Sequence, residues 1–544
     1  MRFFLNIIFF LTVINVFAQH YESSDLVMYN LEKYSCLNSK FHSNIKPYYS
    51  KDVKEFYSSD SLINPLKSQK LFTRKLYNQN TINYQKPKFD ISLNPLFAAI
   101  TGYDNISKKG VNFFNYGVSL KGQYLNNLYF TVNILHNNAD FPNYFKSKID
   151  TNNIIPGQRI AKVYNNRYNF FENTFSLAYM PSKYFILEAG NGKNFIGDGH
   201  RTLFLSDNSC NYPYFKIITE IWKVKYLLLW TNFKNINEIE GTQWGDYTDK
   251  YGAFHCLSFN ISKRLNFSFF EGIIWQSEDS LHRRGFDINY LNPIIFYRPV
   301  EFSLGSPDNA ILGGSFKFKL RKRNLIYAQL LLDEFRMTEV RNGMKHYIDP
   351  VKYPDNWGAW LNKQAFQFGL KSFDIFDING LGIQLEYNYV RPYVYSHKFP
   401  LQNYSNFNQP LAQPHGANFE EIISILKYSH KKLYLEAYFS LTKIGYDSIG
   451  THVGQDIFKS SYDAAVKGSN NVVLPYYGHS VGDGLKTNIS FLRLKGSYLI
   501  NPKNNLRIEG GLIIRNESPK VLTENSTFVF LGIRTSLVRN YDDY

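Results

Sequence analysis

Three carboxylates, Glu271, Glu301 and Glu386, are the residues of this chain suited to acid/base work. Five flat or charged side chains, Trp357, Trp360, Arg391, Tyr393 and Tyr395, are suited to holding a sugar. Glycoside cleavage needs two carboxyl groups about 5–10 Å apart, one to protonate the leaving oxygen and one to attack or to activate water. Two of the three could in principle form such a pair, but carboxylates are ordinary lining for a polar barrel lumen, so the chain reads as a non-enzyme. Indole and phenol rings offer apolar faces to the C–H groups of a sugar, and a neighbouring guanidinium can pair with a carboxylate. The same rings fit equally well as interfacial aromatics or as loop packing.

Two charged pairs extend the list of polysaccharide-binding candidates. Arg201 with Asp207, and Arg298 with Glu301, fit either an ion pair that ties a loop to itself or a contact to an acidic ligand. His200, His397 and His415 show no ligand spacing, and Cys36, Cys210 and Cys256 are too scattered for a disulfide framework or a zinc site. No metal and no cofactor is expected. Gly197-Asp198-Gly199 reads as a tight turn, and Gly192-Lys193-Asn194 before it lacks phosphate-loop spacing.

These residues fall in long segments between strands, and the strands have one pattern. In Lys432–Leu441, Leu433, Leu435, Ala437, Phe439 and Leu441 alternate with Tyr434, Glu436, Tyr438 and Ser440. Successive side chains of a strand point to opposite faces, so one face is oily and the other polar. Eighteen such stretches run from 88–103 to 527–538. The gaps between them sort by length. Asn126-Asn127, Lys263-Arg264 and His430-Lys431 are short; 104–114, 139–169, 196–213, 235–250, 277–309, 336–362, 392–418 and 443–486 are long. Short turns at one end and long loops at the other mark an all-β, transmembrane, antiparallel outer-membrane barrel of about 18 strands. With no water available to unpaired N–H and C=O groups in the hydrocarbon, the sheet must close, last strand on first. Val529, Leu531, Ile533 and Leu537 are then expected to face lipid and Arg534 the lumen, and a lumen position such as Tyr434 is expected to be permissive.

Composition agrees with this class. Aromatics make up 17% of the chain, which suits both strands and interfacial girdles. No later run reaches the ~18 apolar residues of a spanning helix. Arg2, an apolar core over Phe3–Ile14 and Val16-Phe17-Ala18 read as a signal peptide over 1–18, giving an exported outer-membrane protein. Residues 19–87 read as a partly helical periplasmic or luminal segment, with weak helical spacing over Asp25–Leu37, and 88–544 as the barrel. A net charge of +16 favours acidic partners such as lipid head groups or acidic polysaccharide; no nucleic-acid fold is recognisable. A porin or transporter is the alternative, weakened by the mass of loops; a glycan-cleaving enzyme comes third.

Several loop segments carry a resemblance. NGKNFIGDGHRTLFLSDNSCNYPYFKI, YLNPIIFYRPVEFSLGSPDNAILGG, EYNYVRPYVYSH, PLAQPHGANFEE and FHSNIKPYYSKDV resemble the Bacteroidota outer-membrane family of the gliding-motility protein RemB, similar in turn to the capsule-assembly family of Wzi. The resemblance implies a barrel in the outer membrane that binds or anchors surface or capsular polysaccharide, or acts with other gliding or cell-surface proteins. It supplies no catalytic residues.

Overall fold

The alternating stretches form eighteen antiparallel strands closed into a barrel. In chain order they are β1 (Phe89–Asp104), β2 (Lys109–Tyr124), β3 (Leu128–Ala139), β4 (Arg167–Ser182), β5 (Phe185–Gly192), β6 (Tyr212–Ile221), β7 (Val224–Asn237), β8 (Asp246–Asn260) and β9 (Leu265–Gln276). They continue with β10 (Asn309–Arg321), β11 (Asn324–Leu332), β12 (Gln364–Phe373), β13 (Leu381–Val390), β14 (Phe419–His430), β15 (Leu433–Tyr446), β16 (Leu485–Asn501), β17 (Leu506–Ser518) and β18 (Ser526–Arg534). The computed structural model describes residues 24–37, 41–54, 70–125, 127–152, 154–160, 162–164, 167–237, 246–278, 284–297, 308–321, 323–354, 357–448, 451–462, 476–519, 525–537 and 542–543. Residues 1–18, read as a signal peptide, lie outside them.

The closing seam pairs β18 with β1, from Phe528 opposite Asp104 to Arg534 opposite Ala98. Below it Ile82–Lys86 folds back on Phe89–Leu93 and covers the part of β1 that β18 does not reach. Short turns such as Lys183–Tyr184, Trp222–Lys223 and Lys431–Lys432 mark one end of the barrel, and the long connections mark the other. One expected loop shrinks: 104–114 is mostly strand, leaving Asn105–Lys108, where Asp104 accepts from the Ser107 N–H at 2.9 Å.

Period 2 sorts the faces as expected. On β15, Leu435, Phe439 and Leu441 are 43%, 39% and 46% exposed, whereas Tyr434, Tyr438 and Ser440 are 2%, 1% and 3% exposed. The exposed set is the lipid face. On β18, Val529 and Leu531 are exposed, and Arg534 meets Glu509 at 3.2 Å inside. Leu537 corrects the expectation. The strand stops at Arg534, Thr535 bonds across to Phe97, and Leu537 turns inward onto the cavity walls.

An eighteen-stranded barrel is wide enough for an aqueous channel, so its lumen must be filled by chain or stay open. Here it is filled from both ends. The helix Asp25–Leu37 lies across the turn end with Leu26, Val27, Tyr29 and Leu31 buried. Its charges meet the wall: Lys33 with Asp374 at 2.7 Å, Glu32 with Lys371 at 3.0 Å, and Asp25 with Lys495 at 2.7 Å. The helix buries more of its surface than its spacing implied, because it is enclosed. Tyr434 is accordingly no permissive site; it donates to Glu436 and packs near Tyr29 at 6.4 Å. Further in, His42 and Asn44 bond to Ser258 and Ser268 of the wall, and Ile45–Lys46 forms a two-stranded ladder with Phe195–Ile196. That ladder joins the turn-end plug to the loop-end plug.

Faces and plug can each be tested. Leu435→Arg should cost about 2–4 kcal/mol of barrel stability, against under about 1.5 kcal/mol for Leu435→Met; equal midpoints in urea-monitored folding into vesicles would refute the lipid face. Burial pulls the Glu32 carboxyl up, but Lys371 and Lys427 outweigh it and hold it well below the usual carboxylate range. A depressed folded pKa stabilises fully above the ordinary value of 4.5 and is lost as pH falls through the folded value. Protection of the Asp25–Leu37 amides, relative to the intrinsic exchange rate at each pH, should therefore fall on acidification, and Glu32→Gln should flatten that fall.

Candidate functional site

The loop end carries a small ribbon built from two connections. Gly478 N–H donates to the Trp357 carbonyl at 2.8 Å, His479 N–H to Gly358 at 3.0 Å, and Trp360 N–H to Tyr476 at 3.2 Å. Gly358 holds φ at +67°, and a Cβ there would stand 2.6 Å from the His479 carbonyl oxygen, so the ribbon needs glycine at this crossing. Arg391 clamps both strips. Its guanidinium donates to the carbonyls of Asn362 at 2.9 Å, Ala359 at 3.3 Å and His479 at 3.4 Å. Burial pushes this guanidinium's pKa below its ordinary value. Arg391 was expected to meet a ligand carboxylate; its donors are spent on backbone instead.

Aromatic rings gather on this ribbon. Trp360 is 4% exposed and presents edges to Tyr393, Tyr462 and Tyr476 at 5.9, 5.5 and 6.5 Å. Its indole Nε1 has no hydrogen-bond partner among the described residues. Tyr462 is 40% exposed, with the Lys398 ammonium 5.2 Å from its ring centre. Trp357 is half-buried and stacks on His346 at 5.4 Å. Tyr477 sits beside Tyr476 at 4.7 Å. Tyr462, Tyr476, Tyr477, His346 and Lys398 were missed from sequence; the tandem Tyr476-Tyr477 in a long loop was the available signal.

Tyr393 and Tyr395 are corrections. Both are fully buried, so neither ring face is free for a sugar. Tyr393 donates to the His452 carbonyl at 2.9 Å, and Tyr395 to the Leu203 carbonyl at 2.9 Å. Their φ angles of 67° and 70° lie in the left-handed region, which costs bulky residues about 1–3 kcal/mol each. The surrounding bonds hold them there, among them the Tyr395 N–H on Asp333 at 2.7 Å. Burial raises both phenol pKa values above the ordinary range.

Arg201 and Asp207 do not pair. Arg201 is 1% exposed, donates to Asp543 at 2.7 Å and lies 3.5 Å from Glu421, deep in the lumen. Asp207 stands half-buried on a cavity of about 360 Å³. Arg298 and Glu301 lie outside the described residues. Glu271 and Glu386 are on opposite sides of the wall. Glu386 faces the lumen and accepts from the His200 and Arg201 N–H groups and from Tyr327. Glu271 faces outward and accepts from the Phe296 and Tyr297 N–H groups at 2.6 and 2.5 Å. These two cannot flank one glycosidic bond.

His200 lies against Tyr438 at 5.1 Å, and His415 lies 3.7 Å from Glu421. Burial pushes the His397 imidazole down to about 4. No cluster of three His, Cys, Asp or Glu suited to a metal occurs among the described residues. A second cavity, about 270 Å³, runs beside the plug between Glu32 and Lys495 at one end and Phe141, Tyr144 and Phe528 at the other. Its charges are tied to one another, as in Arg493 with Glu436 at 3.0 Å and Asp542 at 2.8 Å.

No family model matches the sequence, and no curated protein matches it. Among solved structures the chain is similar to Wzi of Escherichia coli, described as an outer-membrane protein involved in group 1 capsule assembly and a carbohydrate-binding β-barrel. Identity is 11%, the match covers 95% of this chain and 99% of that one, and the TM-score is 0.52. It is also similar to OprD of Pseudomonas aeruginosa, at 8% identity over 82% and 94% of the two chains with a TM-score of 0.40. OccAB2 of Acinetobacter baumannii matches at 9% identity over 82% and 97%, with a TM-score of 0.41. The likeness to Wzi is one of fold.

The clamp gives a test. Arg391→Ala should loosen the ribbon by about 2 kcal/mol, since hydrogen bonds to a charged group contribute roughly 1.5–3 kcal/mol. Amide exchange at Gly478 and His479 should rise roughly thirtyfold, while heat-modifiable migration of the barrel stays as in the parent. Unchanged exchange would mean that the ribbon holds without the guanidinium.

Proposed function

We propose that this protein is a non-catalytic outer-membrane barrel that binds acidic surface polysaccharide at its loop end, with that end facing outward. The observation that carries the reading is the ridge around Trp360. Partly exposed Trp357 and Tyr462 flank a buried indole N–H that has no partner among the described residues, above a lumen filled from both ends. Rings of this kind stack on sugar C–H faces, and Lys398 beside Tyr462 can meet a carboxylate. The net charge of +16 raises the local concentration of such a polymer. The fold shared with Wzi, itself described as carbohydrate-binding, supports the same reading.

Trp357→Ala with Tyr462→Ala should weaken retention of purified acidic capsular polysaccharide by about 1–3 kcal/mol, roughly fivefold to 150-fold. Binding should also fall as salt rises, because exposed charges are screened over about 8–10 Å. Undiminished binding by a folded double variant would remove the ridge as the site. In a planar bilayer the parent protein should show no steady conductance; stable channels would favour the porin reading. Shortened glycan fragments would overturn the non-catalytic assignment.

A further inference from the structure

One stretch of the barrel wall has its outer face covered toward the loop end. On β7, β8 and β9 the lumen side is taken by Leu227, Leu229, Phe254, Cys256, Phe270 and Ile274, which pack with the plug. The alternate residues, which should meet lipid, are Trp230, Ala253, His255, Glu271, Ile273 and Trp275, and each is at most 8% exposed. The connection after β9 covers them. Tyr290 and Tyr297, both fully buried, pack in one cluster with Trp230, Ile273 and Trp275.

The polar contacts show how a strap can sit there. Trp230 Nε1 donates to the Tyr290 carbonyl at 2.8 Å, Trp275 Nε1 to Gly285 at 3.2 Å, and the Tyr226 hydroxyl to Pro293 at 2.8 Å. Glu271, near the middle of β9, receives the N–H groups of Phe296 and Tyr297. His255 lies opposite Glu271 across the strand pair, with its ring 4.3 Å from Tyr297. Irregular backbone is tolerated at membrane depth when its polar groups are satisfied by protein. Here outward-facing side chains of the wall satisfy the groups just named, and the Asn289, Tyr290, Asn292 and Ile294 N–H groups are satisfied within the connection itself. The strap's other side is apolar. Ile288, Leu291, Ile294 and Phe296 are 74%, 47%, 70% and 54% exposed, and Asn289, between them, is tied to Asp287. The charged residues Arg284, Asp287 and Asp308 are tied to one another at the loop end.

We infer that Phe286–Tyr297 is an intramembrane strap, folded down the outer wall over β7–β9, whose exposed apolar residues contact lipid acyl chains. Its surface continues the lipid face of the barrel, where Phe269 on β9 and Phe316 on β10 are 42% and 38% exposed. The inference does not rest on polysaccharide binding; it rests on the wall and on what covers it.

The test places a nitroxide at Ile288→Cys and, separately, Ile294→Cys in protein reconstituted into phospholipid vesicles. The native Cys36, Cys210 and Cys256 are buried and shielded from the label. Phe316→Cys serves as the lipid reference and Lys352→Cys as the water reference. Both strap labels should collide readily with oxygen and poorly with a water-soluble nickel chelate, matching Phe316. Nickel accessibility like that of Lys352 would overturn the proposal. Adding Glu271→Ala should at least double label mobility, and Glu271→Gln, which keeps an acceptor oxygen, should restore the parent spectrum. A strap label unmoved by Glu271→Ala would refute the carboxylate as its anchor.

Discussion

Every backbone donor and acceptor within the membrane must be paired inside the protein, and the rest of this structure follows from that constraint. It forces β18 onto β1, and Ile82–Lys86 onto the part of β1 that β18 does not reach. Closure at eighteen strands then creates a second problem, because so wide a lumen is too large for side chains alone to fill. The chain answers it with its own segments. The helix Asp25–Leu37 enters from one end, the connection after β5 enters from the other, and the ladder between Ile45–Lys46 and Phe195–Ile196 joins them.

The inward-facing polar residues are therefore structural before they are anything else. Glu386 holds the backbone of His200 and Arg201, Gln329 holds Leu203, and Lys250 holds Asn403 and Ser405. Arg201 meets Glu421 and Asp543, so one buried cation ties a loop, the wall and the segment beyond β18. A buried charge is costly unless it is paired and hydrogen-bonded. That cost explains why the charges of the lumen occur in tied groups, and why a search for ligand-binding charge leads outward to the ridge.

Much of the fold was legible because alternation is a direct consequence of strand geometry. Leu435 and Tyr434 can be assigned to faces from their positions alone, and the sorting of gap lengths separates the turn end from the loop end. The site was less legible. Tyr393, Tyr395 and Arg391 were singled out for residue types that suit a sugar, yet the same types suit packing and backbone clamping, and only the tertiary path of the loops separates the two uses. Arg201 and Asp207 are near in sequence, but Arg201 finds its partners on β14 and beyond β18. No local pattern encodes that. Leu537 departs from the alternation because the chain leaves β1 after Thr535, where Ile82–Lys86 takes over the rest of that edge, and no local pattern marks the handover.

The strap marks the place where alternation itself fails. Phe269-Phe270-Glu271-Gly272-Ile273-Ile274-Trp275 and Leu227-Leu228-Leu229-Trp230 do not alternate oily with polar; they are apolar on both faces apart from one carboxylate. Strands covered on both sides read as continuous apolar runs. In a membrane barrel the lumen face is normally the polar one, so such a run requires apolar material on the inside as well as lipid outside. Phe204, stacked on Phe270 at 4.6 Å, supplies it. The carboxylate then carries the remaining information. An ionised Glu271 facing bare lipid would be destabilising, and Gly272 beside it adds no bulk to bury. Its position is consistent with the wall only if donors come to it from outside, and the N–H groups of Phe296 and Tyr297 are those donors. A lone outward acid in an unbroken apolar run is thus a sequence-level sign that another part of the chain lies over the barrel.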